Sequence, residues 1–455
     1  MVLVEKQLAA FIAKFPADRI PPEMMHIGKR LLLNEFGVAL YASKDPAIGI
    51  LLDVFAAEGG KELATVVGSG VRTNLRNAAL ANGFLGHFED YDDTHLPTVI
   101  HTGSPIYPAA LAAAELTGAS GKDLLAAMVL GIEVACRIGN LIVPKFRDGA
   151  SFWHITNTCG VFGAAAAAAR LLGLTEDEIE HAIGIAGTQS AGLREVFGSM
   201  SKPFHAGKAA ENGLLAAMLA KRGFTSVSAE SKGLLSGSRG FAAVMAKDYD
   251  VASVVHGLGE TWDLPKIAIK PHACGQATHS LLDSMADLRT KPGVTPATVE
   301  SIHGTVERMA PAIESRRHPQ KGLEGKFSYH HGMACVLVDG HAFPQQFVDA
   351  KVHDPVIKAL RDRINVSVDA SLPRFGAAVS LTLKDGTTYA VTTHHSVGVP
   401  ENPLSDERLE AKVRAVAGAV LPAEKVERLI EAVWSIEQLA SMAPLMSLLS
   451  PDGRQ

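Results

Sequence analysis

The pattern of apolar and polar positions divides the chain into a long helical part and a shorter part with strands. From residue 21 to about residue 220, apolar residues return every three or four positions and cap signals lie between the segments, which predicts amphipathic helices. Residues 123–138 are the clearest example, after a Ser120-Gly121 start that suits a helix N-cap. Residues 162–172 and 212–220 are so rich in alanine that we expect plain core packing there.

The pattern changes after about residue 266, where short segments become rich in β-branched residues. Four segments predict strands: 299–306, 364–368, 377–383 and 387–393. Lys384-Asp385-Gly386 predicts the hairpin turn between the last two. Helix-like stretches at 331–338 and 355–362 lie between these strands, which is not the regular alternation of a parallel doubly wound sheet. A small α+β domain is therefore expected here.

After residue 400 the pattern is helical again, with Ser405 as the predicted N-cap. We expect these last helices to return to the first domain. The length of 455 residues agrees with two domains, since one hydrophobic core rarely supports so long a chain.

The composition is that of a folded globular protein, with 47% hydrophobic and 20% charged residues. A net charge of -5 gives no general attraction to nucleic acid or to an anionic membrane, so we expect a small partner. The N-terminal segment lacks the apolar region of a secretory signal. The most apolar stretch, 160–169, ends at Arg170, far short of the roughly 20 residues of a membrane span. A cytoplasmic protein without a membrane span is expected.

Known cofactor motifs do not occur in the sequence. There is no Walker loop and no GxGxxG loop, so no nucleotide cofactor is expected. The cysteines have no CxxC or other metal-ligand spacing, and we interpret them as free thiols. They are Cys136, Cys159, Cys274 and Cys335.

Two polar clusters lie in the first half of the chain. Residues 87–95 combine three aspartates with two histidines, and His101 follows; such a set can bind a metal, orient a catalytic base or cap helices. A metal is the less favoured interpretation, because Asp90 and Asp92 need not share one face and no second carboxylate cluster exists. The second cluster, 152–158, places His154 before a helix whose positive end favours a carboxylate.

Three further clusters are basic. In residues 198–213, closely spaced glycines surround Lys202 and His205, and a lysine there can pair with a carboxylate or act as a base. Residues 270–279 contribute Lys270, His272 and His279. The last cluster is Arg316, Arg317, Lys326 and His331, which could hold an anion.

Taken together and in this order, several segments resemble the MmgE/PrpD family, which includes 2-methylcitrate dehydratase, cis-aconitate decarboxylase and iminodisuccinate epimerase. The segments are 82–94, Lys202-Pro203-Phe204-His205-Ala206-Gly207, 270–279, Gly325-Lys326-Phe327-Ser328, Leu337-Val338-Asp339-Gly340 and Pro400-Glu401-Asn402-Pro403-Leu404-Ser405. The resemblance implies a mainly α fold, with a large all-helical domain and a smaller α+β lid domain. Residues 1–265, completed by 400–455, would form the first and residues 266–399 the second, in a homodimer.

The resemblance also implies a metal-free pocket between the domains, with no cofactor. Its catalytic positions would match Asp90, Thr94, His101, His154, Lys202 and Lys270. We further expect substrate contacts from His205, His272, Arg316, Arg317, Lys326 and His331. Two departures are visible: His101 has an altered spacing from Asp93, and His331 stands at the position that we align with a catalytic tyrosine of cis-aconitate decarboxylase, which argues against decarboxylation.

The expected reaction is removal of a proton next to a carboxylate of a small di- or tricarboxylate, as in a dehydratase. His154 or His101 would be the base, Asp90 would orient a histidine, and Lys202, Lys270 and an arginine would hold carboxylates. Reprotonation of the same enolate would give an epimerase or racemase, with His330 or His331 as a second acid. A non-catalytic anion-binding protein and a metal-dependent hydrolase are alternatives from other classes.

Overall fold

Helices dominate the computed structural model, which describes residues 3–143, 152–228, 233–307 and 316–451. The helices of the first part are α1 Val4–Lys14, α2 Pro22–Ala42, α3 Pro46–Glu58, α4 Leu75–Phe88, α5 Gly103–Thr117, α6 Gly121–Ile142, α7 Ile155–Leu171, α8 Glu176–Gly187, α9 Ser201–Ala220 and α10 Phe241–Met245. Those that follow are α11 His279–Arg289, α12 Gly322–Gly325, α13 Tyr329–Asp339, α14 Asp349–Val352, α15 Pro355–Arg361, α16 Asp406–Ala417, α17 Ala423–Trp434 and α18 Ala443–Leu448. The mainly α prediction is confirmed, as are the N-caps: Ser120 accepts from the backbone N–H of Asp123 and Ser405 from that of Arg408.

Helices α4, α5, α6, α7 and α9 pack together as the centre of the first hydrophobic core. Small residues bring α4 and α9 very close. A Cβ added to Gly83 on α4 would lie 2.8 Å from the Cα of Gly207 on α9, and one added to Gly207 would lie 2.3 Å from the Leu80 carbonyl oxygen. Only glycine permits this crossing. The crossing places the first residues of α9 beside the C-terminal end of α4.

A second hydrophobic core lies under a four-stranded sheet. The strands are β5 Val299–Val306, β6 Ile364–Val368, β7 Ala377–Leu383 and β8 Thr388–Thr393. Their order is β6-β5-β7-β8, in which only β5 and β6 are parallel. The four predicted strands and the hairpin turn are therefore confirmed, and α11 and α13 cover the sheet's buried face. The division of the chain into two domains at residues 265 and 400 stays a prediction.

The first part of the chain is not entirely helical, which corrects the all-helical expectation. Strands β1 Ala64–Val66 and β2 Val71–Thr73 form one ribbon, and β3 Asp93–His95 pairs with β4 Ile267–Ile269 in another. Three-residue strands are too short to show an alternating pattern. The pairing of Thr94 with Ala268 has a consequence for chemistry, because it brings the aspartate cluster beside Lys270.

The C-terminal helix α16 returns to the first core, and its Lys412 holds two distant segments together. The buried ammonium donates to the Asn34 side-chain oxygen at 2.7 Å and to the backbone carbonyls of Tyr91 at 2.7 Å and Lys270 at 2.9 Å. It also lies 3.5 Å from the centroid of the Tyr91 ring. One side chain thus fixes the backbone next to Asp90 and at Lys270.

Replacement of Lys412 by methionine is expected to lower the free energy of unfolding by about 3 kcal/mol, because three buried acceptors lose their donor. Denaturant unfolding of the variant measures the change. Arg408→Met, an exposed cation on the same helix, is the matched control and should change stability by less than about 0.5 kcal/mol. Equal stability of the two variants would show that Lys412 does not hold these segments.

Among the described residues, one helix has the length and hydropathy of a membrane span, α6 Gly121–Ile142. In its most apolar window, 94% of the residues are buried inside the protein, as expected for the core helix that the sequence predicted. The four cysteines are buried free thiols. The cellular compartment stays a prediction.

Candidate active site

One pocket lies where the aspartate cluster, the start of α7, the start of α9 and the sheet part of the chain meet. It is lined by Asp90, Thr94, Val99, His101, Trp153, His154, Ile155, Arg194, Phe197, Lys202, Lys270, Gly275, Gln276, Ala277, Phe327 and Phe375. All six residues expected to be catalytic are in this set. The cavity volume is about 70 Å³, several times the space that one water molecule needs. Its size suits a small molecule.

Two lysines converge on Asp90 at the floor of the pocket. Lys202 Nζ donates to Asp90 Oδ1 at 2.8 Å, and Lys270 Nζ lies 3.1 Å from the same oxygen and donates to the Asp90 carbonyl at 3.0 Å. Burial acts to raise the pKa of Asp90, but the two ammonium groups lower it well below its usual range. The carboxylate is therefore ionised. Both lysines are buried, so their positive charges act at short range with little screening by water.

The two lysines differ in their own acidity. Burial lowers the pKa of Lys202, although Asp90 acts in the opposite direction. Burial also acts to lower the pKa of Lys270, but there Asp90 and Asp92 raise it above the usual value. Lys270 is thus a permanent cation, whereas Lys202 gives up a proton more readily than an ordinary lysine.

Asp92, rather than Asp90, orients the histidines. Its Oδ2 lies 2.6 Å from His87 Nδ1 and its Oδ1 lies 3.0 Å from His101 Nδ1, while Ser104 Oγ donates to Oδ2 at 2.5 Å. The expectation that Asp90 orients a histidine is corrected, because Asp90 is bonded to the two lysines instead. With Nδ1 of His101 held by a carboxylate, Nε2 is the ring nitrogen left for chemistry in the pocket.

A hydrogen-bonded chain connects Lys202 to His101 beneath the pocket. Lys202 Nζ lies 2.8 Å from His87 Nε2, and His87 and His101 share the Asp92 carboxylate. Burial and the Lys202 charge lower the pKa of His87 to about 3. His87 is therefore neutral, accepting from Lys202 on one nitrogen and donating to Asp92 on the other. The chain links two groups that can exchange protons with a ligand.

His154 precedes the first turn of α7 and is backed by a second histidine. Its Nδ1 lies 3.0 Å from His205 Nδ1, and its Nε2 is buried with no hydrogen-bond partner among the residues that the structure describes. Burial and the charge of neighbouring groups lower the pKa of His154 well below its usual value. The ring is neutral at neutral pH and can accept a proton or donate a hydrogen bond.

Partnerless polar atoms and strained backbone both gather at the pocket. Four lining residues have a buried polar atom with no hydrogen-bond partner in the part of the chain that is described: Asp90 Oδ2, Thr94 Oγ1, His154 Nε2 and Gln276 Oε1. Such atoms are rare in folded proteins, and a ligand would satisfy them. Three lining residues other than glycine have positive φ: Asp90 at 51°, Val99 at 56° and Phe375 at 61°. Backbone strain of this kind is typical of functional sites.

Two aromatic rings, Phe197 and Phe327, line the pocket beside Lys202. Lys202 Nζ lies 5.4 Å from the centroid of the Phe197 ring and 5.5 Å from that of Phe327. These rings exclude water from one side of the ammonium group and leave its charge more exposed to a bound anion.

The aspartate cluster also has the spacing of a metal site. Ligand atoms of His87, Asp90, Asp92 and His101 lie within 4.8 Å of one another. The ammonium of Lys202 already contacts two of these ligands, at 2.8 Å from His87 Nε2 and 2.8 Å from Asp90 Oδ1. A second cation in the same place would meet strong repulsion. The donor set therefore fits the lysine better than a metal ion.

The six residues expected to bind substrate do not line this pocket. Their partners are protein groups: His205 with His154, His272 with Asp283, Arg316 with Glu324 and the Phe197 carbonyl, Arg317 with the Asp362 carbonyl, Lys326 with Glu89, and His331 with the Gln346 carbonyl. Direct contact of these six with substrate stays a prediction. In this structure they support the pocket or lie away from it.

Sequence reasoning did not select four residues that the structure brings to the site. His87 and Asp92 were in the first cluster, where their type was visible but their pairing was not. Gln276 was in the fourth cluster. No feature of the sequence indicated Arg194 as a site residue, since it follows a loop of ordinary composition.

The buried histidines predict a pH dependence of stability. Burial lowers the pKa of His87 to about 3 and that of His330 and His331 to about 4, whereas unfolded histidines titrate near 6.5. Between these values the unfolded chain binds more protons than the folded protein, so stability falls as pH is lowered from about 6.5 to 4.

The loss is expected to be about 1 kcal/mol per pH unit for each such histidine, measured by denaturant unfolding at pH 7, 6 and 5. His331→Gln should flatten this dependence, and His256→Gln, at an exposed position, should not. An unchanged slope in His331→Gln would contradict the assignment.

Comparison with known proteins is consistent across nearly the whole chain. Residues 6–253 match the MmgE/PrpD N-terminal domain and residues 272–438 match the MmgE/PrpD C-terminal domain. A cis-aconitate decarboxylase of Aspergillus terreus is 28% identical over 98% of this chain and 96% of its own length. The cis-aconitate decarboxylases of Homo sapiens and Mus musculus are 27% and 28% identical, over 98% of this chain and 94% and 93% of theirs.

Proposed function

Because this chain belongs to the MmgE/PrpD family, we propose that it is a cofactor-independent lyase that moves a proton at the carbon next to a carboxylate of a small di- or tricarboxylate. The observation that carries the proposal is the pocket itself. Two buried ammonium groups share one carboxylate there, beside a histidine held by a second carboxylate.

The charge of the pocket suits a polycarboxylate. Lys202, Lys270 and Arg194 line it together with a single carboxylate, Asp90. The excess of positive charge attracts an anion, and the partnerless atoms of Thr94 and Gln276 offer hydrogen bonds that fix its orientation.

His101 is the base that the geometry favours. Asp92 accepts from Nδ1–H, so Nε2 carries the lone pair that removes the proton, and the Asp92 charge stabilises the imidazolium that forms. The negative charge that develops on the substrate carboxylate is stabilised by the permanent cation Lys270. His154, the other expected base, has His205 as the partner of its Nδ1 in place of a carboxylate.

Dehydration is the reaction that we propose first. After His101 takes the proton from carbon, the carbon–oxygen bond to the β-hydroxyl breaks and Lys202 supplies a proton, so that water leaves. The lowered pKa of Lys202 suits this role of acid. After the product leaves, exchange with solvent water removes the proton from His101 and returns one to Lys202, which restores both groups.

Decarboxylation is the second candidate, favoured by the names of the relatives. In that reaction a carbon–carbon bond breaks, carbon dioxide leaves and a proton is added to carbon. The argument against it, His331 in place of a tyrosine, has little weight in this structure because His331 contacts Gln346 and not the pocket. Epimerisation is weaker, because His330 and His331 were its expected acids and neither lines the pocket.

A proton NMR time course in deuterated water separates these reactions. The panel comprises 2-methylcitrate, citrate, cis-aconitate and substituted succinates. A new alkene signal with the carbon skeleton retained indicates dehydration, loss of one carboxylate indicates decarboxylation, and solvent deuterium in an otherwise unchanged acid indicates epimerisation. Failure of every acid, together with strong stabilisation by one of them, would favour a non-catalytic anion-binding protein.

Exhaustive chelation tests the metal-dependent alternative in the same assay. Because Lys202 lies where a metal would bind, we expect kcat to be unchanged after chelation and dialysis. Loss of activity that added divalent metal restores would instead support a metal-dependent hydrolase or lyase.

A further inference from the structure

A second cleft lies directly outside the pocket and shares one wall with it. It has a volume of about 470 Å³ and is lined by Leu96, Pro97, Lys266, Pro373, Arg374, Phe375, His394, His395, Ser396, Val399, Pro400 and Glu401. We call it the outer cleft. Phe375 lines both the outer cleft and the pocket, so its side chain belongs to the partition between them.

The partition consists of two short loops from distant parts of the chain. Residues 96 and 97 line the outer cleft and Val99 lines the pocket, while Pro373 and Arg374 line the cleft and Phe375 lines both. Arg374 joins the loops by donating from Nη1 to the Pro97 carbonyl at 3.3 Å. Its guanidinium carbon also lies 4.8 Å from the centroid of the Phe375 ring. One exposed arginine therefore links the two sides.

Both loops contain strained backbone where they face the pocket. Val99 has φ of 56° and Phe375 has φ of 61°, values that β-branched and bulky residues rarely adopt. The Phe375 strain is maintained by its neighbours: Ser280 Oγ donates to the Phe375 carbonyl at 2.6 Å, and the Gly376 backbone N–H donates to Pro373. Strain of this kind lowers the free energy needed to move to another conformation.

The outer cleft has the chemistry of an anion site. Lys266, which also pairs with Asp263, and Arg374 line it against one acidic residue, Glu401, and His394 and His395 add two exposed imidazoles. Ser396 also lines it. This residue is only 1% exposed, and its hydroxyl has no hydrogen-bond partner among the described residues. Such a hydroxyl is available to donate a hydrogen bond to an anion in the cleft.

We propose that the outer cleft binds the polycarboxylate substrate before it reaches the pocket, and that Val99 and Phe375 form a gate between the two cavities. A carboxylate in the outer cleft competes with the Pro97 carbonyl for Arg374. A charged acceptor binds a guanidinium more strongly than a carbonyl does, so arrival of the anion releases the contact between the loops. The proposal takes only one element from the proposed function, which is the class of ligand, a polycarboxylate.

Stopped-flow fluorescence tests the proposal without requiring turnover, because Trp153 lines the pocket. The probe is propane-1,2,3-tricarboxylate, and loss of the signal in Trp153→Phe assigns it to arrival in the pocket. Arg374→Ala is expected to weaken the dependence of association on salt, since a steering charge is lost, and to speed opening of the gate, since the contact with the Pro97 carbonyl is lost as well. Phe375→Gly is expected to speed both association and dissociation several-fold, because the ring and the strain are both removed.

Arg222→Ala, an exposed arginine at the end of α9, is the matched control and should associate at the wild-type rate. Wild-type rates in both Arg374→Ala and Phe375→Gly would overturn the proposal. If calorimetry detects no binding of the probe to the wild-type protein, the polycarboxylate class fails and the proposed function fails with it. If an acid is turned over at a rate that does not change in Arg374→Ala, the gate is overturned while the proposed function stands.

Discussion

Lys202→Met is expected to lower kcat about a thousandfold, the cost typical of removing a group that stabilises charge in the transition state. Lys202 donates to Asp90 at 2.8 Å and lies 2.8 Å from His87 Nε2. Methionine retains most of the side-chain volume but provides no proton and no charge. The variant would lack the proposed acid and one of the two cations that face the substrate.

The variant also leaves the Asp90 carboxylate buried with Lys270 as its remaining cation. We therefore expect some loss of stability in addition to the loss of activity, and the melting temperature is measured beside kcat and KM. Lys208→Met on the same helix is the matched control, since Lys208 pairs with Glu211 outside the pocket. A folded Lys202→Met enzyme with kcat within tenfold of wild type would refute the acid role.

Asp92→Asn is expected to lower kcat by about a thousandfold or more with little change in KM, because a carboxylate that sets a histidine tautomer acts mainly in the transition state. Asp92 accepts from both His87 and His101. An amide can donate as well as accept, so it can stabilise the wrong tautomer of His101 and direct a protonated Nε2 at the substrate. It also cannot stabilise the imidazolium.

A graded pair of variants distinguishes this role from a general loss of packing. Ser104→Ala removes only the hydroxyl that donates to Asp92 at 2.5 Å, and we expect it to lower kcat about tenfold. Asp53→Asn, an exposed aspartate on α3, should have no effect. If Asp92→Asn retains wild-type kcat while His154→Ala is inactive, His154 is the base and the assignment of His101 is wrong.

The two large predictions concern one connected network, so their effects should not add. Lys202 and Asp92 are joined through His87. The double variant is therefore expected to be only slightly less active than the less active of the two single variants. Strictly additive losses would show that the two residues act independently.

Much of the fold follows from local patterns in the sequence. The four sheet strands, the hairpin at 384–386 and the caps at Ser120 and Ser405 depend on residues close together in the chain. Side-chain period and cap chemistry act over that range. The ribbon of β3 and β4 was missed, because a three-residue strand has no period and its partner lies more than 170 residues away in the chain.

The chemical types at the site were also determined by the sequence, and the six residues expected to be catalytic line one pocket. The tertiary structure decided which of them touch each other. Lys202 meets His87 and Asp90 because α4 and α9 cross at Gly83 and Gly207 without an intervening side chain. No local pattern encodes a contact across 112 residues.

Tertiary structure likewise decided the place of the basic residues. Arg316, Arg317 and Lys326 were expected to bind an anion because they are positive, but each finds a carbonyl or carboxylate of the protein. A charge seldom stays unpaired when the fold offers a partner. The sequence thus determined the elements and the kinds of chemical groups. Long-range packing decided that Asp92 and His87 are the partners of His101 and Lys202. It also decided that the other cations pair with carbonyl and carboxylate groups of the protein.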